Sequence, residues 1–112
     1  MTGDMRKEPV LVALVNLDKP LHDLEKDVSQ LKWDDERSTV VLSLDNVRSV
    51  LDRYLLGSLT SEEVEQWANL LEGREDIAAE RSVRDMIHQL ANPLLEGELS
   101  HAVAQSLLAK LQ

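Results

Sequence analysis

Apolar side chains recur at intervals of three and four residues along most of this chain. That spacing places them on one face of an α-helix, so each run predicts an amphipathic helix with a buried side. The predicted core positions are Leu21, Leu24, Val28 and Leu31; Leu44, Val47, Leu51 and Leu55; Val64, Trp67 and Leu71; Ala79, Val83, Met86 or Ile87, and Leu90; and Val103, Leu107 or Leu108, and Leu111.

Residues that favour helix ends occur beside these faces. Ser43 is placed to cap one helix, and Gly57 is placed to end it in a left-handed turn. Thr60 and Glu63 predict a capping box, in which each side chain bonds the backbone N–H of the other residue. Because the connection 57–59 is short, the two helices it joins are expected to be antiparallel neighbours.

Three segments do not follow this pattern. Residues 1–9 are predicted to be a flexible terminus, and 10–17 (VLVALVNL) could form a buried strand or a short helix. The β-branched stretch at 38–42 is expected to be extended. We therefore predict one all-α domain over 1–112, a small four- or five-helix bundle with a short extended segment near 38–42.

The composition of the chain, and above all its net charge, limits the kinds of partner that it can bind. The chain has 112 residues, no cysteine, and 21 acidic against 12 basic side chains, for a net charge of −9. Thiolate metal sites and disulfides are excluded, while nucleic acid and anionic membranes are disfavoured as partners. A basic protein partner is permitted, although the charge could also serve solubility alone. The absence of a long apolar run or a signal peptide predicts a cytoplasmic protein.

The negative charge is concentrated in one segment. Residues 57–80 hold seven acidic side chains and one basic one, which gives −6 of the total. The acids near Gly73 could be neutralised locally by Arg74 or could form a docking patch for basic side chains. Positions 62, 65, 69, 72 and 76 share a face only if the helix continues past Gly73, which glycine disfavours. The candidate partner-binding residues are Asp34, Asp35, Glu36, Glu62, Glu65, Glu72, Glu75 and Asp76.

The two tryptophans allow different interpretations. Trp67 shares the apolar face of its helix with Val64 and Leu71, which favours a core position. Trp33 adjoins the acidic run 34–36, so it could cover the end of the bundle or anchor an interface.

No constellation typical of catalysis occurs in the sequence. Adjacent acids such as Glu62 and Glu63 point about 100° apart on a helix, so they do not form a carboxylate pair. His88 follows Asp85 by three residues and could begin a metal site, but such a site needs further ligands from facing helices. There is no glycine-rich phosphate loop and no Gly-x-Ser-x-Gly turn. We predict no catalytic residue, no metal site and no cofactor.

Several short motifs are nevertheless familiar as a set. They are Gly57 at a helix end, Trp67-Ala-Asn69, Glu72-Gly-Arg-Glu-Asp76 and Leu90-Ala-Asn-Pro93. Over roughly 39–111 the chain resembles a group of small, acidic, helical bacterial proteins. Most of that group is uncharacterised, but some members look like immunity proteins encoded beside toxins of contact-dependent growth inhibition or related polymorphic toxin systems.

The resemblance implies an immunity protein that binds a cognate toxin domain, such as a basic nuclease, and blocks it sterically and electrostatically. Two other functions stay open. A regulatory or adaptor module would bind a protein through an exposed apolar face. An enzyme with a distributed site would bring His88, Asp85 and another carboxylate together in a pocket. The sequence leaves the oligomeric state open.

Overall fold

The computed structural model describes residues 7–29, 40–72, 77–93 and 97–110. It confirms the predicted all-α class. In these ranges the elements are α1 (Lys7–Asn16), α2 (Leu21–Ser29), β1 (Val40–Val41), α3 (Leu44–Leu55), α4 (Ser61–Leu71), β2 (Ile77–Ala78), α5 (Arg81–Ala91) and α6 (His101–Lys110).

The ambiguous apolar run near the N-terminus forms a helix. α1 buries Leu11 and Leu14 completely and ends before Leu17, whose φ of 50° is left-handed. α1 begins at Lys7, so residues 7–9 of the segment predicted to be a flexible terminus belong to a helix, while 1–6 lie outside the described residues. Pro9 belongs to the first turn, where a helix tolerates proline because the missing N–H would have no intrahelical partner.

The predicted helix caps of α3 and α4 are confirmed. Ser43 and Asn46 exchange side-chain-to-backbone bonds at the start of α3, and Thr60 and Glu63 do the same at the start of α4. Gly57 follows α3 with φ of 86°, the left-handed conformation that glycine adopts without strain. These caps fix the turn that joins the two helices, which pack against each other.

A very short parallel sheet joins two distant parts of the chain. Val40 pairs with Ile77 and Val41 pairs with Ala78. The extended segment predicted near 38–42 is confirmed at Val40 and Val41, while 38–39 lie outside the described residues. The next helix, α5, begins at Arg81, so Ala79, which the apolar spacing placed on the face of this helix, precedes it.

The core lies around α4, which packs against α1, α2, α3 and α5, while α6 packs on α3. Every predicted core position within the described residues is buried or half-buried; Leu31 and Leu111 lie outside them. The fully buried side chains include Trp67, the largest, which is 0% exposed. In the described part of the chain, no helix has both the length and the apolar character needed to cross a bilayer.

Candidate partner-binding surface

One side of α4 is fixed to the core. Val64, Trp67, Ala68 and Leu71 are all buried on this side. The indole Nε1 of Trp67 donates a hydrogen bond of 2.7 Å to the backbone carbonyl of Leu14. Because buried polar groups are costly without partners, this bond lets the helix bury its largest side chain without leaving the indole N–H unsatisfied.

The same end of α1 is held by two side chains of α3. Arg53 donates to the carbonyls of Leu17 and Asn16 at 2.9 and 2.7 Å, and Asn46 Nδ2 donates to Asn16 Oδ1 at 2.7 Å. A helix end leaves carbonyls without intrahelical donors, and a cation beside them is also favoured by the helix dipole. We call Asn46, Arg53 and Trp67 the α1 anchor.

The opposite side of α4 carries negative charge towards solvent. Glu62, Glu65 and Glu72 lie along this side with Gln66 and Asn69 between them, and we call these five residues the acidic stripe. The helix itself contains no lysine or arginine. At about 1.5 Å per residue, Glu62 and Glu72 are about 15 Å apart along the axis. Glu62 is exposed and Glu65 is half-buried, and within the described ranges neither forms a hydrogen bond or an ion pair.

Only part of the predicted acidic set can be placed. Glu62, Glu65 and Glu72 come together on the stripe, whereas Asp34, Asp35, Glu36, Glu75 and Asp76 lie outside the described residues, as does Trp33. α4 ends at Leu71, and Glu72 has an extended backbone with ψ of 131°. The helix therefore ends before Gly73, as the presence of this glycine predicted, and helical spacing does not extend the stripe to residue 76.

Glu72 is held by two side chains from the end of α5. Its Oε2 lies 2.7 Å from His88 Nδ1, and Asn92 Nδ2 lies 3.2 Å from Oε1 and 3.4 Å from Oε2. Asn92 Nδ2 also donates to the carbonyl of His88 at 2.7 Å. Since an ionised carboxylate only accepts, His88 Nδ1 carries the hydrogen in this bond. We call these three residues the Glu72 clamp; it brings the C-terminal ends of α4 and α5 together.

The clamp changes the interpretation of His88. The sequence suggested Asp85 as its neighbour in a metal site, but the imidazole Nδ1 is bonded to Glu72. Among the residues that the structure describes, no group of three histidine or acidic side chains is arranged to hold a metal ion. His88 and Asn92 are therefore placed to orient a carboxylate.

Sequence reasoning missed this contact because 16 residues separate Glu72 from His88. One local signal did indicate it. A carboxylate at a helix C-terminus is disfavoured by the dipole, so Glu72 was an acid that required a donor from elsewhere.

Comparisons with known proteins leave this surface to be interpreted from its chemistry. No protein-family model matches the sequence, no curated protein matches it, and no solved structure matches it.

Proposed function

We propose that this protein is a cytoplasmic immunity protein that binds and neutralises a cognate toxin domain, a basic nuclease, through the acidic stripe. The observation that carries the proposal is the arrangement of α4. One face is fixed to α1 by a buried hydrogen bond, and the other presents Glu62 and Glu65 without ion-pair partners in the described residues.

The mechanism requires no chemistry from this chain. A nuclease grips phosphates with lysine and arginine, so its active surface is positively charged. A rigid row of carboxylates can occupy that surface and exclude the substrate. Opposite charge also steers association, which can reach about 10⁸ M⁻¹s⁻¹ at low salt, and close charge pairs contribute about 1.5–7 kcal/mol in interfaces of this kind.

An adaptor that binds through an apolar face is supported less well. Trp67 is buried, so it is not available as an anchor. The large apolar side chains that are exposed in the described part of the chain are Val12, Val41 and Leu56. They lie on α1, on β1 and just after α3, and thus on three separate elements.

Charge reversal on the stripe tests the proposal. The first step is to read the neighbouring gene, which the proposal expects to encode a secreted protein with a basic C-terminal domain. The assays are the affinity of that domain for this chain and the inhibition of its nuclease activity. Glu62→Lys with Glu65→Lys should weaken binding about 100-fold, because two close pairs at about 1.5 kcal/mol each are lost. Inhibition of the nuclease should be lost in parallel.

The matched control changes the same net charge elsewhere. Asp23→Lys on α2 with Glu98→Lys before α6 alters two exposed acids that are not on α4. This pair should weaken binding less than tenfold, through long-range attraction alone. Equal losses of affinity for the two pairs of substitutions would mean that only net charge matters. A wild-type chain that neither binds nor inhibits the domain would refute the proposal.

A further inference from the structure

We draw no further inference here: the strongest candidate, the Glu72 clamp at the C-terminal ends of α4 and α5, belongs to the surface already described, and its polar atoms bond one another without any observation in the described residues that points to a ligand.

Discussion

The two faces of α4 use polar groups in opposite ways. On the inner side, the indole of Trp67 donates to the Leu14 carbonyl at the end of α1, so its polar atom is buried together with a partner. On the outer side, Glu62 and Glu65 have no partner in the described residues. The inner groups stabilise one arrangement of helices, and the outer groups are left available for another molecule. The difference suggests which polar residues should affect folding and which should affect binding.

The Glu72 clamp combines features of both faces. Its carboxylate is exposed like the stripe, yet it is bonded to another helix like the α1 anchor. An exposed ion pair contributes little to stability, about 0–1 kcal/mol. Orientation of the carboxylate is therefore a more economical explanation of the clamp than stability.

The largest expected effect on stability comes from truncating Trp67, the largest side chain on the inner face of α4. Trp67→Ala should lower the free energy of unfolding by about 3–5 kcal/mol, because it empties a fully buried site at the centre of the bundle. Chemical denaturation measures this loss. Trp67→Phe is the informative companion: it keeps an aromatic ring but removes the indole donor to the Leu14 carbonyl, which still accepts the N–H of Leu17, so the lost bond should cost about 0.5–1.5 kcal/mol. A stability equal to wild type in Trp67→Ala would contradict the central position of this ring.

The parts of the fold that follow from neighbouring residues could be predicted from the sequence. The N-cap at Ser43, the capping box at Thr60, the left-handed Gly57 and the buried Trp67 all depend on residues within one or two turns. Periodicity could not decide between helix and strand for α1, since a six-residue apolar run fits either. α1 becomes helical in a bundle where neighbouring helices cover both Leu11 and Leu14.

Contacts between distant residues could not be predicted in the same way. The pairing of Val40 with Ile77 depends on the course of the whole chain between them, as does the contact of Glu72 with His88. The candidate site was therefore predicted as a set of acids without a geometry. Three of them share the stripe, and the residues that orient Glu72 were identified only from the structure.

A smaller effect is expected from Arg53, which tests the α3 part of the α1 anchor. Arg53→Met keeps an unbranched apolar side chain but removes both donors to the carbonyls of Asn16 and Leu17. Charged hydrogen bonds contribute about 1.5–3 kcal/mol, and we expect the lower end here. The reason is that Arg53 Nε is buried without a hydrogen-bond partner among the described residues, so removing it recovers part of the cost of burying that group.

The control for Arg53 is an arginine on the surface. Arg84 is exposed on α5, and Arg84→Met should change the free energy of unfolding by no more than about 0.5 kcal/mol. Similar losses for the two variants would show that the contacts of Arg53 with α1 contribute nothing beyond general charge.

The smallest expected effect is the difference in stability between variants of two neighbouring acids in the first turn of α4, Glu62 and Glu63. Both lie near the helix N-terminus, so each gains about 0.3–1 kcal/mol from the dipole. Glu63 also accepts the backbone N–H of Thr60 at 2.9 Å, whereas Glu62 has no partner in the described part of the chain. Glu63→Ala should therefore destabilise the protein by about 1 kcal/mol more than Glu62→Ala, measured by thermal unfolding.

Toxin binding should show the reverse order, with the larger loss in Glu62→Ala, because the carboxylate without a structural partner is the one available to another protein. If one of the two acids proved more important for both stability and binding, the division between anchoring and recognition on this helix would be wrong.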